Sequence, residues 1–274
     1  MKKFISVALA VLMVCSLFAG CGSSETKAPE NNAAAETNAA AEAAFTTIEA
    51  GKLIMSTNAA FPPYEMVADD GSFEGIDVEV AGAIAEKLGL ELVIDDMDFD
   101  AALLAVQQGK SDMVMAGVTV TEDRQMVMNF SDSYATGVQV VIVKEGSDVT
   151  MDNLGEKMIG CQRGTTGYIY ASDSPENGGY GEDHVTAYDN GASAVQALLN
   201  GQVDCVIIDS APAAEFVAAN PGLTTLEGTW VEEFYAIGLG KDNTALLDAV
   251  NTALAELTAD GTLQTIVDKY ISAE

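Results

Sequence analysis

Two stretches of this sequence repeat each other at a constant offset of 92 residues: AVQQGKSDMVM, Ala105 to Met115, and ALLNGQVDCVI, Ala197 to Ile207. Alanine, glycine, aspartate and valine recur in step as Ala105/Ala197, Gly109/Gly201, Asp112/Asp204 and Val114/Val206. Each copy reads as a helix end, a glycine stop and a short apolar strand. The repeat constrains the chain to two α/β halves of like topology.

The surroundings of each copy fit that reading. In the first half KLIMST is a strand, and GIDVEVAGAIAEKLG is a helix that Asp77 caps. Its apolar stripe is Ile76, Val80, Ile84 and Leu88, and Gly89 ends it. LELVID alternates as a strand, DFDAALLAVQQG is a capped helix and DMVMAG a buried strand. In the second half KMIGCQ, HVTAY and DCVIID are strands, while TTGYIYAS and ASAVQALLNG are helical. Alternating strands and helices predict parallel sheets covered on both faces, one in each of two Rossmann-like lobes. After the second copy come a strand, EEFYAIGLGKD, and two helices broken near Gly261, a tail expected to return to the first lobe. The chain then crosses between lobes near residues 134–138 and 231–235, which makes a hinge. Lobe 1 is expected at 48–136 plus 234–274, lobe 2 at 137–233. Ligands of open α/β sheets bind beyond the carboxyl ends of the strands, so the cleft between the lobes is the expected site.

The N-terminus reads differently. MKKFISVALAVLMVCSLFAGC has two lysines, an apolar run and a small pair before Cys21, the layout of a secretory signal over residues 1–20. LFAGC resembles the lipobox of bacterial lipoproteins, with Phe18 where that motif usually has Leu; an ordinary cleaved signal and an uncleaved anchor are the alternatives. A diacylglycerol thioether on Cys21, with an added palmitate, would hold the protein on the outer face of the cell membrane. Residues 21–47 are Ala-, Asn-, Glu- and Ser-rich, too polar to offset ordering entropy, and are expected to be a flexible tether. The formal net charge of −30 repels nucleic acid and anionic lipid. Cys15 lies in the signal, Cys161 and Cys205 on probable core strands as free thiols, and His184 is the single histidine, so neither a metal site nor a cofactor is expected.

Against 42 acidic residues the chain has only two arginines, Arg124 in MAGVTVTEDR and Arg163 in CQRGTTG. Thr121 caps a helix whose first turn holds Arg124, where a cation opposes the helix dipole unless an anion joins it. A guanidinium offers a carboxylate two parallel donors; a surface pair with Glu122 or Asp123 is the alternative. Gly164, Thr165 and Thr166 form an anion cradle or a plain N-cap. Asp209, at the end of DCVIID, either receives an ammonium or caps the next helix. Donors for a carboxylate beside acceptors for an ammonium suit an α-amino acid.

STNAAFPPYE, GIDVEVAGAIAEKLG, DFDAALLAVQQGKSDMVMAGVTVTEDR, FSDSYATGVQVVIVK, IGCQRGTTGY, VDCVIID and ADGTLQTIVDKY follow in that order. From Gly51 onward the chain resembles the extracytoplasmic polar amino acid-binding proteins of ATP-driven (ABC) importers, which include the glutamine- and lysine/arginine/ornithine-binding proteins. The resemblance implies the two-lobed, two-crossing fold of type II periplasmic binding proteins, the Venus-flytrap. It also implies that Arg124 holds the ligand carboxylate, with Thr119 and Thr166 helping. Asp209, the Gly117 carbonyl and the Thr119 hydroxyl would hold the ammonium, and Phe61 and Phe99 would sandwich the side chain. Asn58 and Gln162 fall where the family varies its side-chain contacts; Val118 and Thr165 complete the implied ligand-binding set. Relatives often carry an acidic residue where Asn58 stands, so an uncharged polar amino acid is expected, with a basic amino acid or cystine as the alternative. Asp77 could reach a basic side chain, with capping its helix as the alternative role. Arg163 lies beside the contact set.

The expected partners are an amino acid, the membrane-bound permease of an ABC importer and the membrane itself through the lipid, with the protein a monomer and not an enzyme. One rival is a dehydratase of similar fold, for which Glu65 or Asp100 would have to act as general acid or base. The other is a sensor working through a separate partner.

Overall fold

In a computed structural model, residues 45–271 are described. The signal, Cys15, Cys21 and most of the tether lie outside them. Strand β1 (Lys52–Thr57) leads into a small three-stranded sheet of β2 (Ala60–Phe61), β3 (Glu65–Val67) and β4 (Phe73–Glu74). Helix α1 (Ile76–Leu88), β5 (Glu91–Asp96), α2 (Phe99–Gln107), β6 (Met113–Val114), α3 (Glu122–Val127) and the long β7 (Met128–Lys144) follow. The second half comprises β8 (Ile159–Gln162), α4 (Thr166–Ser172), β9 (Val185–Tyr188), α5 (Gly191–Leu199), β10 (Cys205–Asp209), α6 (Ser210–Ala219) and β11 (Leu223–Thr225). Strand β12 (Val231–Gly240) and helices α7 (Thr244–Ala259) and α8 (Thr262–Tyr270) close the described chain.

The repeat has a structural cause. Gly109 and Gly201 end α2 and α5 at φ 66° and 71°, a left-handed turn that favours glycine. In each copy the residue after the glycine donates back to the helix alanine, Lys110 N to Ala105 O at 2.8 Å and Gln202 N to Ala197 O at 2.9 Å. The aspartates then fasten the neighbouring strand: Asp112 Oδ2 accepts from Ile54 N and Asp204 Oδ2 from Met158 N, both at 2.8 Å.

Within each half the strands are parallel, as expected: β5, β1 and β6 in one, β10, β8 and β9 in the other. The expectation of two separate sheets is corrected. One nine-stranded mixed sheet runs β5-β1-β6-β12-β7-β10-β8-β9, with β11 also on β7. The cause is the 17-residue length of β7, which pairs antiparallel with β12 along one stretch and with β10 and β11 along another. The two crossing strands thus carry hydrogen bonding through the middle of an α/β fold of two lobes.

The tail does return to the first half, where α7 and α8 pack on α1 and Lys87 pairs with Glu256 and Asp260 at 3.1 and 3.5 Å. Leu53, Met55, Ile76, Ile84, Leu246 and Val250 are among the apolar side chains buried there. Cys161 and Cys205 are free and buried in the second half. Two capping expectations fail. The N-cap of α1 is Gly75, and Asp77 turns its carboxylate inward; Asp98 occupies the N-cap of α2 without a side-chain bond to it.

Candidate functional site

A cavity lies at the carboxyl ends of β1, β6, β8 and β10, the place where open α/β sheets bind their ligands. Ten of the expected contact residues line it: Asn58, Phe61, Phe99, Gly117, Thr119, Arg124, Gln162, Thr165, Thr166 and Asp209. Val118 does not. Its side chain is fully buried and packs with Phe99, Ala116 and Met128 in the core.

Arg124 is 8 % exposed, which removes the surface-pair alternative. Thr121 caps its helix by accepting from Arg124 N at 3.2 Å, as expected. The guanidinium donates from Nη1 to Thr119 O at 2.8 Å and from Nη2 to Gly164 O at 3.0 Å, and sits over the Phe99 ring at 5.5 Å. Both partners are neutral carbonyls, and burial opposes the guanidinium charge, holding it below its ordinary value. A cation in that position is completed by an anion. Arg163 is exposed, 3.7 Å from Asp189, and takes no part.

Asp209 both lines the cavity and caps α6, so its two expected roles are not exclusive. Its Oδ1 accepts from Ala211 N at 3.1 Å and its Oδ2 from Val138 N at 2.8 Å. Burial pushes its carboxyl up to about 6 against those bonds. Thr119 donates its one hydroxyl proton to Glu233 Oε2 at 2.9 Å, which leaves oxygen lone pairs toward the cavity, the polarity an ammonium needs. Thr165 caps α4 by accepting from Tyr168 N, and Thr166 opens that helix, where the first amides have no intrahelical acceptor.

Asn58 and Gln162 are engaged with each other. Gln162 Nε2 donates to Asn58 Oδ1 at 2.8 Å, and Asn58 Nδ2 donates to Met97 O at 2.9 Å. The Asn58 amide therefore has one bond at each end within the protein, which leaves it one N–H and one lone pair.

The residues not foreseen as contacts change the charge of the site. Glu65, Ala116, Gln139, Ile207, Ile208, Glu233 and Tyr235 also line the cavity. Glu65 is fully buried, accepts no hydrogen bond, and lies within hydrogen-bonding reach of the Asp77 carboxylate, to which only a protonated Glu65 can donate. Glu233 is buried on β12, with Oε2 held by Thr119 and Gln139 and Oε1 unpartnered. The wall thus carries three carboxyl groups, Glu65, Asp209 and Glu233, and one guanidinium. A signal for Glu233 existed in the alternation of VEEFY, which puts it on the buried face with Tyr235 while Glu232 and Phe234 point outward.

The chain is similar to known proteins over most of its length. Residues 53–273 match the profile of the bacterial extracellular solute-binding proteins, family 3. The ABC transporter arginine-binding protein 1 of Escherichia coli K12 is 31% identical over 231 residues, 82% of this chain and 93% of that protein. The L-cystine-binding protein TcyJ of the same organism is 30% identical over 230 residues, 82% of this chain and 85% of its own. The solved structure of an ancestral arginine-binding protein bound to glutamine superposes with a TM-score of 0.76 at 36% identity, over 82% of this chain and 100% of that one.

Proposed function

This chain belongs to the bacterial extracellular solute-binding proteins, family 3, a family of binding proteins and not of enzymes, and from that premise we propose that it captures a basic amino acid in the cavity for an ABC importer. The observation that carries the ligand class is Glu65, a buried carboxyl with no cation paired to it among the described residues, in a wall where Asp209 is already suited to the α-ammonium. An arginine, lysine or ornithine side chain brings a cation to it. This replaces the expectation of an uncharged polar ligand, and the similarity to an arginine-binding protein supports it.

In this reading Arg124 takes the α-carboxylate with help from the Thr166 amide, while Asp209, the Gly117 carbonyl and the Thr119 oxygen take the α-ammonium. Phe61 and Phe99 flank the side-chain methylenes. Lobe 1, residues 48–136 plus 234–274, and lobe 2, residues 137–233, close on the ligand about β7 and β12, and the closed form docks on the permease. A lipid on Cys21 and the 21–47 tether keep the protein, as a monomer, near that permease on the outer face of the membrane. Cystine is a second reading, favoured by the similarity to an L-cystine-binding protein; its second ammonium would meet Glu65.

A thermal-shift panel of the twenty amino acids with ornithine, citrulline and cystine tests this, because a ligand of the folded state raises the melting temperature by mass action. The expected result is the largest rise with arginine, lysine or ornithine, and a smaller one with citrulline, the neutral analogue of arginine. Larger rises with neutral polar amino acids than with any basic one would overturn the ligand class.

A further inference from the structure

We infer that Glu65 is a proton-exchange subsite: its carboxyl holds a proton until the cationic side chain of the ligand arrives, and that proton leaves as the cation binds. The inference rests on the basic-ligand reading and adds a thermodynamic consequence that the reading alone does not require.

The geometry around Glu65 carries it. Glu65 opens β3 at zero exposure, on the cavity wall, with neither oxygen accepting a hydrogen bond. Asp77, from α1, is its acidic neighbour and is equally buried. Asp77 already has both oxygens bonded, Oδ1 accepting from Tyr134 Oη of β7 at 2.7 Å and Oδ2 from Gly117 N at 2.9 Å. The remaining groups facing the pair are Tyr64, Tyr134 and, from β5, Asp96, whose Oδ1 is held by Ala59 N. None is a cation, and no ion pair among the described residues involves Glu65 or Asp77. Arg124 lines the same cavity, but two of its donors are taken by the Thr119 and Gly164 carbonyls.

Two buried carboxyl groups side by side with no counter-charge do not both ionise. Asp77 has donors that stabilise its anion; Glu65 has none, so Glu65 keeps the proton. Burial pushes the Glu65 carboxyl well above its ordinary value, and the Asp77 charge adds to the effect. A guanidinium or ammonium supplies the missing charge. The O–H bond of the Glu65 acid breaks heterolytically, its proton goes to buffer, and the carboxylate pairs with the ligand cation. A neutral side chain such as that of glutamine binds against the protonated acid and releases nothing from Glu65. Preference for a basic over a neutral amino acid therefore rises with pH, by up to about tenfold per unit while free Glu65 remains protonated.

The experiment is calorimetric titration of the full chain with arginine and with glutamine at two pH values, each in two buffers of different ionisation enthalpy. The dependence of the heat on buffer counts protons. The α-ammonium of either ligand displaces the same fraction of a proton from Asp209, so the expected result is close to one more proton released per arginine than per glutamine. Glu65→Gln should abolish that difference, and the wild-type heats decide the matter if that variant does not fold. Arginine binding with no more proton release than glutamine at either pH overturns the inference and leaves the basic-ligand reading standing. Failure of arginine, lysine, ornithine and cystine to bind at all overturns both.

Discussion

Replacing Arg124 is the perturbation whose outcome the site geometry constrains most closely. The guanidinium donates to Thr119 O at 2.8 Å and Gly164 O at 3.0 Å, so it ties the loop after β6 to the loop after β8. In Arg124→Met the apolar volume over Phe99 is roughly kept, while the charge and all five donors are lost. Leaving a bound carboxylate unpaired in a buried site costs about 2–5 kcal/mol, which predicts amino acid binding weakened by about 30- to 4,000-fold. Arg124→Lys keeps the charge but replaces the planar fork by a point donor. Loss of one charged hydrogen bond, about 1.5–3 kcal/mol, predicts a weakening of about 10- to 150-fold. Stability should change much less than affinity, because removing a buried cation offsets the two lost carbonyl bonds. Titration calorimetry on both variants, with urea unfolding of the unliganded proteins as the control, separates the two effects. If Arg124→Met binds its amino acid within threefold of wild type, the carboxylate is held elsewhere and the assignment of Arg124 is wrong.

Other expectations follow from the same surroundings. Asp77 and Asp209 are pushed from an ordinary 3.8 to about 6 by burial, and Glu65 is pushed up as well. Folding raises these affinities for protons, so between the ordinary and raised values the folded chain binds more protons than the unfolded one, and stability falls as pH rises. Urea unfolding without ligand should therefore show a more stable protein at pH 5 than at pH 7, by about 1 kcal/mol for each aspartate; the reverse order would refute the burial argument. At Gly137 an added Cβ would lie 2.5 Å from the Tyr235 ring and hydroxyl and 2.8 Å from Asp209 Oδ2. Gly137→Ala should cost about 1–3 kcal/mol and weaken binding at least tenfold, and a variant with unchanged melting temperature and affinity would contradict it. Burial raises the thiols of both Cys161 and Cys205, the latter to about 12. Peptide mapping after iodoacetamide should find both unmodified in the folded protein and alkylated after unfolding; rapid labelling in the native state would contradict their burial.

Much of this architecture was legible because it is encoded locally. Period-two and period-3.6 patterns placed β1, α1, β5, α2, β8, α5 and β10, and the 92-residue repeat paired the halves, since Gly109 and Gly201 must end a helix and Asp112 and Asp204 must fasten a strand. The scarcity of arginine singled out Arg124, because a rare cation in an acidic chain has few uses. The tertiary structure decided what depends on residues distant in sequence. Asp77 stands at the start of a helix and reads as its cap, until Gly117 and Tyr134 arrive and draw its carboxylate inward. Two lobes read as two sheets, until the length of β7 joins them. Asn58 reads as an isolated amide, until Gln162, 104 residues away, bonds to it. The acidity of the cavity is of this kind as well: Glu65, Asp209 and Glu233 look like ordinary acids among 42, and come to line one cavity only when folding removes their water and leaves Arg124 as the one cation among them. Periodicity records which face of an element is buried, but the charge of a cleft is set by what the other elements bring to it.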